Sequence, residues 1–340
     1  MKQLLAVGFF LAAVASQSVT NAEVAGPAKD VPELQALQNY VGTWDVVFTN
    51  NEFTESESTA QWILGGRFVE QTGVMLSDNG KNRVEILTLF TFDTTRKTYR
   101  SWTFLSTGSI SEAEMTWDAK SSTMTSLTRP DASGARSTVT ADFSVAGKER
   151  WKFQFTDRDG KSVGEMSGLN TLRKDAETTP KPVLPATDVS DRSAEMKVLD
   201  RYLGTWRSEY LLPKAVWTPE EKRGSAESIS TRELGGRFIP ERVQHSDKTS
   251  ATMLLTFDAE KRNYRGWWFN SLGQANESTG RWDEASQTLL WTGVEPNDIK
   301  VTSQYRFQES GKLDWRVLAQ DKQGVAMFRM EGNSTRIEKR

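Results

Sequence analysis

Tyr40-Val-Gly-Thr-Trp44 returns as Tyr202-Leu-Gly-Thr-Trp206, and Leu64-Gly-Gly-Arg-Phe68 returns unchanged as Leu234-Gly-Gly-Arg-Phe238. Working outward from these two strings, further matches keep the same order. Thr91-Phe-Asp93 pairs with Thr256-Phe-Asp258, and Tyr99-Arg-Ser-Trp-Thr-Phe104 with Tyr264-Arg-Gly-Trp-Trp-Phe269. Trp117-Asp118 pairs with Trp282-Asp283, Trp151 with Trp315, and Asn170-x-x-Arg173 with Asn333-x-x-Arg336. The offset stays between 162 and 170 throughout, so the 340-residue chain is a tandem duplication. The second copy is 8 residues longer between Trp206 and Leu234 and 5 shorter before Thr256. Such insertions belong in surface loops.

Each copy opens with a short helical signal. Asp30-Val-Pro-Glu33 has the form of a capping box, and Leu34, Leu37 and Val41 follow it at helical spacing. Met196, Leu199 and Leu203 do the same in the second copy. The rest reads as strands. Arg83–Phe92, Tyr99–Leu105 and Glu112–Trp117 are separated by Asp-Asn-Gly, Asp-Thr-Thr-Arg and Thr-Gly-Ser, which are turn chemistries. About 8–10 antiparallel strands per copy means an all-β barrel or sandwich. Asp118 and Asp283 read as turn formers. Residues 33–174 form the first repeat and residues 193–340 the second. Between them, 175–192 carries Pro180, Pro182 and Pro185, an extended linker by composition. Residues 1–22 read as a signal peptide: Lys2, an apolar run from Leu4 to Val14 too short to cross a bilayer, then Ala13-Val14-Ala15 or Thr20-Asn21-Ala22 as cleavage sites. The expected location is therefore exported, in a bacterial periplasm or secreted. With no cysteine there is no disulfide, thiolate metal site or lipidated cysteine.

A short helix running into Gly-x-Trp on the first strand resembles the lipocalin and fatty-acid-binding superfamily. That resemblance implies two tandem antiparallel lipocalin-like β-barrels, each preceded by a short helix. It also implies a plug: Trp44 and Trp206 close one end of each barrel, with Arg173 and Arg336 packed across their indoles. The fuller set is similar to the bacterial family catalogued as domain of unknown function 1579. Its marks here are Gly-Thr-Trp, Leu-Gly-Gly-Arg-Phe, Thr256-Phe-Asp258, Trp267-Trp-Phe-Asn-Ser-x-Gly273, Gly280-Arg-Trp-Asp283 and the terminal Arg. The chain departs from that pattern where Leu105 and Asn270 replace an Asp before Ser. Haem-binding barrels of this topology need a His ligand. The one His, His245, falls in a polar stretch that reads as a solvated loop, and the first copy has none.

The net charge of −2 argues against a nucleic-acid partner. No nucleophile elbow, phosphate loop or metal-ligand spacing is present, so the expectation is a non-enzyme with no cofactor, no metal and no membrane span. The most suggestive constellation is Arg100, Trp102, Phe104 and its copy Arg265, Trp267, Phe269. Strand alternation puts each set on one face, Ser106 and Ser271 included. If that face lines the barrel, each interior holds a cation between aromatic walls, suited to an anionic head group. If it faces outward, Arg lies over Trp or pairs with Glu112 and Glu277. The sequence thus reads as an exported binding protein for a small apolar or amphiphilic anionic ligand. The alternatives are a ligand-free envelope interaction or assembly module, and a hydrolase of lipid or carbohydrate esters. It specifies no protein partner.

Overall fold

Ten antiparallel strands close on themselves in each repeat of the computed structural model, which describes residues 26–49, 53–54, 56–77, 82–131, 133–173, 193–308 and 311–337. The expected signal peptide and linker lie outside these residues. The first barrel uses β1 (Gly42–Phe48), β3 (Ser56–Ile63), β4 (Phe68–Ser77), β5 (Asn82–Asp93), β6 (Thr98–Leu105), β7 (Ile110–Asp118), β8 (Thr123–Thr128), β9 (Arg136–Asp142), β10 (Lys148–Thr156) and β11 (Ser162–Leu172). A two-residue β2 (Phe53–Thr54) hangs on β4, and the β4–β5 pair closes the ring. The second barrel runs β12 (Gly204–Leu212), β13 (Lys222–Ser230), β14 (Ile239–His245), β15 (Ser250–Asp258), β16 (Asn263–Asn270), β17 (Ala275–Asp283), β18 (Thr288–Glu295), β19 (Ile299–Phe307), β20 (Lys312–Gln320) and β21 (Ala326–Ile337). There β12 pairs with β21 to close it. The two barrels are separate compact units. No helix among the described residues is long and apolar enough to cross a membrane.

The entry segments depart from the expected form. Pro32–Tyr40 is a 3-10 helix, and no side chain caps it. Asp30 instead pairs with Arg67 at 2.5 Å. The buried residues are Leu34, Leu37 and Tyr40, three apart, which matches three residues per turn. The second copy begins with a true helix, α1 (Ala194–Leu199), whose Ser193 hydroxyl accepts the Met196 N–H at 3.2 Å. Its last turn, Asp200–Tyr202, is also 3-10, and Met196, Leu199 and Tyr202 are buried.

The repeated Leu-Gly-Gly is a left-handed turn. Leu64, Gly65 and Gly66 have φ of 51°, 68° and 78°, and Leu234, Gly235 and Gly236 repeat this at 52°, 62° and 74°. A side chain at Gly66 would start 2.5 Å from the Gly26 carbonyl oxygen, so glycine is required there. Thr91 and Thr256 hold the two turns, each donating its hydroxyl at 2.7 Å to the carbonyl of Arg67 or Arg237. Asp118 and Asp283 cap turns, accepting from Ser121 and Ser286 at 2.7 Å.

Cross-strand partners share a face, so the register separates inside from outside. Tyr99 opposes Met115, and both lie in the core beneath Leu34, Leu37 and Tyr40. In the second barrel Met253, Leu255, Tyr264, Leu289 and Trp291 fill the space beneath Met196, Leu199 and Tyr202. This end of each barrel is closed. Toward the other end, inward-facing Met75, Ile86, Val139, Phe153 and Met166 are only half-buried. So are Ser303, Val317 and Met330 in the second barrel, where Tyr210, Leu212 and Ala226 form a further buried cluster. Each barrel is plugged at one end, and toward the other end part of its inward side chains are only half-buried.

Candidate functional site

The two plugs are built differently. Trp44 and Trp206 are each 3 % exposed. Their indole N–H groups donate to the Tyr40 and Tyr202 carbonyls at 2.8 and 2.7 Å. Arg336 lies over Trp206, 4.7 Å from the ring centroid, as the resemblance implies. Arg173 departs from it: its guanidinium binds Asp45 at 2.5 Å and also pairs with Glu57. The register gives the reason. Trp206 opposes Arg336, whereas Trp44 opposes Leu172, so Arg173 falls on the other face. Trp151 and Trp315 oppose Gly168 and Gly332, which makes Asn170 the counterpart of Ser334. The string match of Asn170-x-x-Arg173 to Asn333-x-x-Arg336 is therefore one residue out of structural register.

Arg100, Trp102 and Phe104 lie opposite Glu114, Glu112 and Ile110, on the face away from Tyr99 and Met115. They point outward, as do Arg265, Trp267 and Phe269, because Tyr264 on the other face of β16 is in the core. Arg100 pairs with Asp93 at 3.1 Å and with Glu112, and sits 4.5 Å from the Trp102 ring centroid. Arg265 pairs with Asp258 at 3.6 Å and Glu277 at 2.5 Å, and sits 4.6 Å from that of Trp267. These cations are met by protein groups outside the lumen, so they supply no anion site within it.

The lumens carry different chemistry, which the repeat motifs did not indicate. In the first barrel Glu149 is 6 % exposed on the inner face of β10. Trp151 donates its indole N–H to Asn170 Oδ1 at 2.9 Å, and Asn170 Nδ2 donates to Glu149 Oε2 at 2.7 Å. Burial pushes the Glu149 carboxyl up to about 7, against the pull of the Asn170 bond. In the second barrel Glu241 points inward from β14 and accepts the Ser228 hydroxyl at 2.9 Å. It is half-buried, and desolvation raises it to about 6 against the pull of the Ser228 bond. Tyr305, raised by burial and then by the Glu241 charge, stands 5.7 Å from Tyr202, ring to ring. Ser230 Oγ, on the residue opposite Glu241, is buried and meets no hydrogen-bond partner among the described residues.

His245 is not a solvated loop residue. It ends β14 opposite Ala226, with its ring edge-on to Tyr210 at 5.8 Å. Burial lowers its pKa, so it is neutral at pH 7. The longer second-copy loop, Pro213–Glu221, runs beside β21, where the Trp217 N–H donates to the Met327 carbonyl at 2.8 Å. A groove of about 670 Å³ lies on the outside of the second barrel, lined mostly by outward residues. Its charges balance, with Arg223, Arg306 and Arg316 against Glu209, Asp314 and Glu331. Among the described residues no group of three or more His, Asp or Glu is arranged to hold a metal ion.

No curated protein matches the chain. Among solved structures, that of Rv2717c from M. tuberculosis is 13 % identical and covers 44 % of this chain and 100 % of its own, with a TM-score of 0.35. A DUF3598-family protein of unknown function from Nostoc punctiforme is 11 % identical and covers 90 % of this chain and 100 % of its own, at 0.27. The model of the family described as "Protein of unknown function (DUF1579)" matches residues 191–336, the whole described second barrel but its last residue. The second repeat is thus similar to the DUF1579 family, and the first repeat stands beside it as a diverged tandem copy.

Proposed function

We propose that this is an exported binding protein that takes one small apolar or amphiphilic molecule into the lumen of each barrel. The observation that carries this reading is the half-buried state of inward side chains such as Ile86, Phe153, Ser303 and Val317 beyond a closed plug. A barrel filled by its own side chains would bury them. Barrels of about eight strands already hold one small ligand, and ten give a wider lumen. The anionic head group expected from Arg100 and Arg265 loses its basis, because both are already paired outside the lumen.

The test fills the lumen. Ser126 and Ser303 face inward and are half-buried, so Ser126→Phe and Ser303→Phe occupy ligand space. Wild-type protein is titrated with the neutral fluorophore N-phenyl-1-naphthylamine. Saturable binding to two sites, reduced to one in each variant, supports lumen binding. Binding unchanged in both variants sends the reading back to a ligand-free assembly module. Export is tested separately, by N-terminal sequencing of the protein recovered from the periplasm or medium; an uncleaved start at Met1 would refute it.

A further inference from the structure

Each lumen holds a carboxyl that no basic side chain among the described residues meets. Glu149 receives one hydrogen bond from Asn170, and Glu241 one from Ser228. An ionised carboxylate offers about four acceptor positions, so most of each is unused. An enclosed charge is costly unless a cation or several donors answer it.

The placement of the two groups is more telling than either alone. Ala60 opposes Gln71 as Ser230 opposes Glu241, so Gln71 is the counterpart of Glu241. Glu149 lies two residues before Trp151, and Leu313 two before Trp315, so Leu313 is the counterpart of Glu149. The two barrels thus carry their carboxyls on different strands. Both nonetheless face the lumen, Glu149 opposite Asn170 and Glu241 opposite Ser230 and Met253. Two diverged copies thus each place one carboxyl on the lumen face, from different strands. Aromatic rings line the same inner faces, Trp151 and Phe153 in the first barrel, Tyr305 and Trp268 in the second, and aromatic faces favour cations.

We propose that each lumen recognises the protonated amine of a small apolar-bodied ligand, with Glu149 accepting the ammonium group in the first barrel and Glu241 in the second. The assignment rests on the lumen-binding reading and adds the head group to it. The pairing is charge-assisted, and the apolar half-buried wall takes the body of the molecule.

The full chain is titrated by calorimetry at pH 7.5 with octylammonium, octanol and octanoate, which share one tail. Octylammonium should bind at least about tenfold more tightly than octanol, and octanoate more weakly than either. The double variant Glu149→Gln, Glu241→Gln should lose that preference and keep its affinity for octanol, which also reports an intact lumen. If the double variant does not fold, each single variant should retain one amine-selective site of the two. Octanol or octanoate binding as tightly as octylammonium, or a preference that survives in the Gln variants, overturns the amine assignment and leaves the lumen reading in place. Failure of all three probes to bind removes both.

Discussion

Replacing Glu149 by Gln should stabilise the first barrel at pH 8 and leave it nearly unchanged at pH 4.5. The carboxyl is 6 % exposed, and its folded-state value of about 7 stands above an unfolded value of 4.5. Below the unfolded value the group is protonated in both states and costs nothing. As pH rises through 7, the native state must either hold a proton the solvent would take or bear a buried charge. Stability contributed by this group is therefore present at low pH and lost as pH passes the folded value. The difference of about 2.5 units corresponds to roughly 3 kcal/mol at 1.36 kcal/mol per unit. Gln keeps the shape, and its Oε1 can still accept from Asn170 Nδ2. Nearby Tyr40 is raised well above its ordinary value and does not titrate in this range. Urea unfolding followed by tryptophan fluorescence is the assay. With a slope of about 2 kcal/mol per molar, the midpoint at pH 8 should rise by about 1.5 M. A Gln variant less stable than wild type at pH 8 would refute the reasoning, because it would mean that the ionised carboxylate is well solvated or paired.

Three further outcomes follow from the same structure. Trp44→Ala and Trp206→Ala should each cost roughly 3–5 kcal/mol in denaturant unfolding, since both rings are buried and hydrogen-bonded; a negligible midpoint change would remove the plug. Gly332→Ala should destabilise the second barrel by about 1–3 kcal/mol, since its new Cβ would lie 2.5 Å from the Glu209 carbonyl oxygen and 2.7 Å from the Trp315 ring; thermal melts decide it, and Gly168→Ala should match it in the first barrel. Residues 23–178 and 186–340, expressed separately, should each unfold cooperatively with β-type circular dichroism, because each barrel closes with its own strands; an unfolded half beside a stable full chain would contradict that.

The repeat, the all-β class and the plug tryptophans were legible because they rest on strings that survive divergence. The choice of face was not. In Thr98–Leu105 both faces carry large rings, Tyr99 inside and Trp102 and Phe104 outside, so alternation identifies two faces without telling which is the lumen. The lumen carboxyls were hidden for another reason: they sit among 45 acidic residues and, being unshared between the copies, leave no repeat signal. A signal did exist. Glu149 stands at the head of a period-two stripe with Trp151, Phe153 and Phe155, and Glu241 lies between Ile239 and Val243 on theirs. A carboxylate in register with an apolar stripe belongs to the buried face.

The same rule explains why the plugs differ. Side chains alternate, so a one-residue slip moves a group through the sheet. The terminal arginines look equivalent as letters, yet Arg336 faces the indole and Arg173 faces away from it. Leu172 takes the place beside Trp44: a Cβ on Gly42 would collide with Leu172 Cδ1, and one on Gly204 would meet Arg336 Cδ at 3.7 Å. Once Arg173 faces outward it needs anions, and Asp45 and Glu57 supply them. In the second copy the position of Asp45 is Arg207, which takes Glu227 at 2.9 Å and leaves Arg336 to the ring. The plug therefore keeps its shape through two arrangements of charge, each consistent within its own copy. The lumen shows the same independence, with one inward carboxyl on β10 in one barrel and on β14 in the other. What the two copies share is one inward carboxyl each, and the strand that supplies it has been free to change.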